Sequence, residues 1–204
     1  MLHAYLDLIT ADPQTLSGCI DYIEHQARPM VERQPGSLGL LLMASPDDGV
    51  AVFESLWTTY VALDASAEVA AALRGELAGQ AGGSVTAGQY QMPVFELEVP
   101  LHAGEQARLT RIEVKPSAVT DVIEVFGDSA VPLLAPAPGF RGALLLADPD
   151  SGHLISQTIW RDPKTRAASP SVAEVIKADL LPSAGCQIRA VEDYSLVFSS
   201  AEEA

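Results

Sequence analysis

Basic residues are scarce in this chain. Lys and Arg number 12 against 27 Asp and Glu in 204 residues, a net charge of −15. The few cations are scattered, with no run or stripe among them. Nucleic-acid affinity rests on Lys and Arg neutralising phosphates, so no nucleic-acid partner is expected, and no anionic membrane either. Cysteine is nearly absent. Cys19 and Cys186 are the only two, too few for a disulfide framework or a zinc site. No apolar run approaches the ~20 residues that span a bilayer. The start, Met1-Leu2-His3-Ala4-Tyr5, lacks the basic region and long apolar core of a signal peptide. These absences predict a cytoplasmic protein with reduced thiols. What is abundant is apolar: 48% hydrophobic and 19% charged residues describe a packed chain, not a disordered one.

That chain repeats itself at an offset of 103 positions. The segment from Pro35-Gly36 through Asp47-Asp48-Gly49 to Trp57 returns as Pro138-Gly139 through Asp150-Ser151-Gly152 to Trp160. Ten of these 23 aligned positions are identical, where typical residue frequencies give about one or two. The offset also relates Pro13 to Pro116, Pro29 to Pro132, Ser66 to Ser169, Gly82 to Gly185 and Phe95 to Phe198. A constant offset means one folding unit was duplicated. Repeat 1 covers residues 1–99, a linker 100–107, and repeat 2 residues 108–204.

Each repeat reads strand, helix, strand, strand, helix, strand. Leu2 to Thr10 alternates with the period of a strand. Asp12-Pro13 then supplies an N-cap and a first-turn proline. Leu16, Ile20, Ile23, Ala27 and Met30 form one stripe on a helix of about five turns. Leu38 to Ala44 is apolar throughout, a strand covered on both faces. Pro46-Asp47-Asp48-Gly49 turns into a strand from Val50 to Trp57. Ser66 is the expected cap of a second helix carrying Val69, Leu73 and Leu77, and Gln89 to Val99 the fourth strand. Repeat 2 follows suit: strand 110–115, helix 116–134, hairpin 141–147 and 153–160, a helix opened by Ser169-Pro170 with Val172, Ile176 and Leu180 inward, and strand 187–198. The order βαββαβ gives a four-stranded antiparallel sheet with both helices on one face, the ferredoxin-like arrangement. Its uncovered face needs a partner. The expected fold class is therefore α+β, with two such repeats whose antiparallel sheets pack into an intrachain pseudo-dimeric barrel.

The Pro-Gly before the second strand, the Asp-x-Gly hairpin and the Trp ending the third strand resemble the dimeric α+β barrel superfamily. Within it the chain looks like a tandem of the antibiotic biosynthesis monooxygenase family, over about 95 residues twice. Members usually dimerise to close one barrel, so the resemblance implies a monomer that is itself a pseudo-dimer, or a homodimer of such chains. Some members oxidise anthrones or quinols with O₂ and no cofactor, which implies no cofactor here and a small aromatic molecule as partner. Haem-degrading relatives carry an iron-ligating histidine on the second helix, and 66–79 and 169–182 contain none. No His, Cys or carboxylate cluster has metal-ligand spacing.

The resemblance places Trp57 and Trp160 in a cleft between helices and sheet, where a Trp stacks on a planar substrate. The packing alternative makes each a core plug at the strand–helix junction. Tyr60 and His153 have the functional groups for acid–base work and are not repeated, since Tyr60 aligns with Pro163 and His153 with Val50. His153 follows a turn, where a solvated histidine is the ordinary expectation. Arg141 aligns with Leu38, and Glu54 with Gln157; each is a candidate for orienting an anion, with an ion pair or solvent as the plainer role. Two readings follow. One is a cofactor-independent monooxygenase with Trp57 or Trp160 stacking the substrate and Tyr60 steering deprotonation. The other is a non-catalytic ligand-binding or assembly protein that keeps the barrel alone.

Overall fold

The computed structural model describes residues 1–169 and 186–202. The first copy runs β1 (Leu2–Thr10), α1 (Pro13–Tyr22), a π-turn (Ile23–Ala27), α2 (Arg28–Glu32), β2 (Ser37–Ser45), β3 (Val50–Trp57), α3 (Tyr60–Ala65), α4 (Ala67–Ala81) and β4 (Ser84–Leu97). The second runs β5 (Gln106–Glu113), α5 (Val119–Val125), a π-turn (Phe126–Ala130), α6 (Val131–Leu134), β6 (Phe140–Asp148), β7 (His153–Trp160), α7 (Pro163–Ala168) and β8 (Gln187–Ser199). The helix expected after Ser169-Pro170 lies outside the described residues. Backbone pairing follows the order β1-β3-β2-β8-β5-β7-β6-β4 and closes a barrel. The fold is the expected α+β pseudo-dimeric barrel.

Two compact units are interleaved along the chain. One comprises Met1–Tyr90, Val99–Ala103 and Ser195–Ala204, the other Gln91–Glu98 and Gly104–Tyr194. In the first, β3 lies antiparallel between β1 and β2, and β2 pairs on its other side with Ser195–Ser199 of β8. In the second, β7 lies between β5 and β6, and β6 pairs with Gln91–Leu97 of β4. The last strand of each repeat thus ends in the unit built on the other repeat. Such an exchange leaves β2 and β6 hydrogen-bonded on both edges, as their unbroken apolar sequences require.

Pleat parity sorts the first unit's side chains. Leu40, Leu42, Ala44, Ala51, Phe53 and Trp57 join Leu16, Ile23, Leu73 and Leu77 in one core beneath the helices. Leu41, Met43, Val52 and Leu56 are buried on the opposite face. The second unit repeats the plan, with Phe126, Leu134, Leu145 and Trp160 at the centre of its core.

Two strands begin earlier than expected, at Ser84 and Gln106, and two expectations about the helices need correction. The long first helix of each repeat is not α-helical throughout. Its π-turn carries the amide of Arg28 to the carbonyl of Ile23, and that of Val131 to Phe126. Pro29 and Pro132 follow at once, and a proline in an α-helix has no N–H to give and collides with the carbonyl four residues back. Widening the preceding turn lets the helix continue. Ser66 is not the side-chain cap of α4: its hydroxyl donates to the Leu63 carbonyl at 2.7 Å. The chain turns helical earlier, at α3, where Thr59 accepts from the amide of Ala62 at 3.2 Å. Asp162 does the same in the second copy, accepting from Thr165 at 2.8 Å. Both hairpins turn through a glycine of positive φ, Gly49 at 67° and Gly152 at 78°.

Candidate functional site

In the first unit the odd residues of β1 face the helices. Tyr5 and Ile9 lie in that core, and between them the alternation sets Asp7 on the same face. Asp7 is 4% exposed. Its Oδ1 accepts from Arg74 Nε of α4 at 2.5 Å. The Arg74 guanidinium lies 4.6 Å over the Tyr5 ring, and the Tyr5 hydroxyl accepts from Gln89 Nε2 at 2.9 Å. Arg74 Nη2 is buried and bonded to nothing among the described residues.

Electrostatics there follow burial. Loss of water raises the Asp7 carboxyl above its ordinary value, and the hydrogen bond and charge of Arg74 pull the other way without reversing it. Burial likewise raises the Tyr5 phenol, with Gln89 and Arg74 opposing and Asp64 and Tyr60 adding to the rise. His3 is lowered, by burial first and the N-terminal ammonium second.

A narrow cavity opens beside these groups. Asp7, Phe53, Ser55, Trp57, Leu73 and Arg74 are among its walls. The space open to the centre of a water-sized sphere is about 10 Å³, room for about one water molecule. Trp57 is 1% exposed, and its indole N–H donates to Ser55 Oγ at 3.1 Å. Its copy Trp160 donates to Thr158 Oγ1 at 3.0 Å and meets Phe140 edge-on at 5.5 Å. Both indole donors are therefore engaged within their own strands, and only the ring of Trp57 borders the cavity.

The other sequence candidates lie elsewhere. Tyr60 stands on the first turn of α3, half exposed, its ring edge-on to His3 at 5.7 Å. It does not line the cavity. His153 is exposed at the start of β7, 3.9 Å from Glu113. Arg141 is held by Glu98 and by Glu105, the latter at 2.9 Å. Glu54 and Gln157 are fully buried, flanked across their strands by Leu6 and Leu41 and by Leu109 and Leu144. Sequence reasoning missed Asp7 and Arg74. The offset carried the clue: Asp7 aligns with Thr110, so one copy has a carboxylate in mid-strand that the other lacks.

The second unit departs further at the equivalent places. Arg108 stands for Tyr5, Gln106 for His3 and Arg166 for Leu63. Arg108 Nε meets Asp193 Oδ1 at 3.0 Å. Arg166 gives Nη1 to Gln106 at 2.9 Å and holds Nη2 3.4 Å from Asp193 Oδ2.

No family model matches the chain. It is 22% identical over 200 residues to the uncharacterized protein Rv2558 of Mycobacterium tuberculosis, spanning 98% of this chain and 85% of that one. A second uncharacterized protein of that organism, Rv2557, is 25% identical over 176 residues, 84% and 79% of the two chains. Among solved structures an anthrone oxidase-like protein superposes with a TM-score of 0.69 at 16% identity, covering 100% of this chain and 95% of that chain. A Lactobacillus acidophilus protein provisionally named a monooxygenase gives 0.69 at 14%, covering 98% and 94%. A haem-degrading enzyme of Listeria monocytogenes gives 0.54 at 10%, covering 95% and 98%. The fold is the dimeric α+β barrel, here contained in one chain. Its structural neighbours include monooxygenase-like proteins and a haem-degrading enzyme. Among the described residues no His, Cys, Asp and Glu cluster could hold a metal ion, and no helix is long and apolar enough to cross a membrane.

Proposed function

We propose that the first unit is a cofactor-independent monooxygenase site for a small planar aromatic substrate of the anthrone or quinol kind. The observation that carries this reading is Asp7, a carboxylate buried beside an arginine at the wall of a cavity bordered by Trp57. Burial raises its proton affinity, which makes a carboxylate a better base. Asp7 takes a proton from the activated carbon or hydroxyl of the substrate. Arg74, with Nη2 uncommitted, holds the oxygen on which negative charge develops. The face of Trp57 stacks on the ring. The substrate anion passes one electron to O₂, the radical pair joins as a hydroperoxide at carbon, and loss of water leaves an anthraquinone from an anthrone or a hydroxyquinone from a quinol. One oxygen atom enters the product and the other leaves as water, with the proton returned by Asp7. Substrate entry requires α4 to move off the sheet, since the cavity accepts about one water as it stands.

Anthrone or a hydroquinone in air, followed by quinone absorbance and oxygen uptake, tests this. Asp7→Asn should cut the rate by about a hundredfold or more, in the range of a general base, and Trp57→Phe should slow it where Trp160→Phe does not. No acceleration across such a panel overturns the reading. The tightness of the cavity favours a second one, a non-catalytic ligand-binding or assembly role, which that failure would leave standing.

A further inference from the structure

We propose that the second unit carries a binding site for the carboxylate of a small organic acid, built from Arg108, Arg166 and Gln106. The proposal is independent of the monooxygenase reading, which concerns the other unit. Where the first copy has Tyr5, Leu63 and His3, the second has two guanidinium groups and an amide. Neither arginine is a solvated surface group, each side chain being 18% exposed. Among the described residues one carboxylate, Asp193, serves both. Its contact with Arg166, at 3.4 Å, is too long for a strong charged hydrogen bond. Among the described residues Arg166 Nε is buried and has no partner, and Arg108 engages Asp193 through Nε. Gln106 gives its amide to the Gly104 carbonyl at 2.9 Å, which aims its oxygen at Arg166 and fixes that side chain.

Among the described residues that meet there, two cations against one acid leave a surplus of one positive charge, in a chain where acids outnumber bases 27 to 12. A single negative charge balances that surplus. The planar fork of each guanidinium matches a carboxylate, which accepts two parallel bonds. A phosphate dianion would exceed the surplus. Asp193, its side chain 39% exposed, acts as an internal occupant that the ligand displaces. Trp160, the cross-strand partner of Gln106, gives its indole N–H to Thr158, the partner of Arg108, and an aryl acid is therefore the probe chosen.

Calorimetric titration of the full chain with benzoate tests the site, with inorganic phosphate as comparator. Benzoate should bind with a Kd on the order of 1 mM. Arg166→Leu and Arg108→Tyr, which install the first copy's residues, should each weaken binding about tenfold or more. Arg166→Lys keeps the charge without the fork and should weaken it too, so the test survives if the leucine variant fails to fold. Asp193→Asn should tighten binding by removing the internal competitor. No binding to either the native chain or Asp193→Asn, unchanged affinity in Arg166→Lys, or phosphate binding as tightly as benzoate would overturn the proposal.

Discussion

Replacing Arg74 with methionine isolates the polar tie between α4 and the sheet. Methionine keeps most of the aliphatic stem and removes the guanidinium. Two contacts go with it: the 2.5 Å bond to Asp7 and the stack over Tyr5. The Asp7 side chain is 6% exposed and that of Arg74 23%, so the change strands a buried carboxylate. Breaking such a pair costs about 3–5 kcal/mol. Solvent already screens part of Arg74, which places the expected loss near the lower limit, at about 3 kcal/mol at neutral pH. For a chain of this length that is a fall of about 6–12 °C in Tm. The pH dependence supplies a sharper signature. Because Asp7 is raised above its ordinary 3.8 in the folded chain, the native state binds more protons than the unfolded state over a window opening near that value. Stability therefore falls as pH rises through the window. Arg74 restrains the rise, so its removal lifts Asp7 further and widens the window. The variant should be least impaired in acid, where Asp7 is neutral in both proteins, and most impaired at neutral pH. Urea unfolding followed by circular dichroism at pH values on either side of the window measures both effects. A loss below about 0.5 kcal/mol, the size of an exposed ion pair, or a loss that does not shrink in acid, would refute the argument.

Other outcomes follow from the geometry. A Cβ on Gly49 would sit 2.3 Å from the Ala11 carbonyl oxygen, and one on Gly152 2.1 Å from that of Val114. Gly49→Ala and Gly152→Ala should each lose about 2 kcal/mol or more in urea unfolding, from clash and positive φ together; a neutral result would contradict the turn. Cys19 and Cys186 are buried, and burial raises both thiols, so a thiol reagent near neutral pH should react with neither until denaturant is added. Prompt labelling of the native chain would contradict that. Thr59→Ala and Asp162→Ala each remove a side-chain cap and should cost about 1 kcal/mol apiece, read from the urea midpoint.

Much of the fold was legible because the duplication supplied an internal check. The strands Val50–Trp57 and His153–Trp160 have the expected bounds, since a turn with glycine fixes one end and tryptophan the other. The exchange of strand ends was not legible, because alternation shows which face of a strand is buried and not which edge it pairs with. The π-turns escaped for a related reason. Apolar spacings of three and four are satisfied by either helix, and only the paired prolines Pro29 and Pro132 marked the departure. Asp7 escaped because Leu6-Asp7-Leu8 reads as an ordinary alternating strand with its polar face outward. That face meets α4 instead, and nothing within β1 announces Arg74, which lies 67 residues further on.

Two copies in one chain are free to diverge at polar positions while the frame is kept. In a symmetric homodimer one substitution alters both clefts, so an acid gained at one is gained at the other. A tandem chain lifts that constraint. Gly36, Gly49 and Trp57 keep their identity in the second copy as Gly139, Gly152 and Trp160, because backbone conformation and core volume tolerate little change. At Asp7 and Thr110, Tyr5 and Arg108, and Leu63 and Arg166 the copies differ in charge. Each of these positions helps to line its copy's own side of helix or sheet, where polarity is set by what must be held there. A duplicated scaffold that conserved packing alone would have no reason to bury an aspartate in one copy and half-bury two arginines in the other, since each charge taken from water must be offset by a partner. Divergence at these equivalent positions is what the two proposed sites, one in each unit, require.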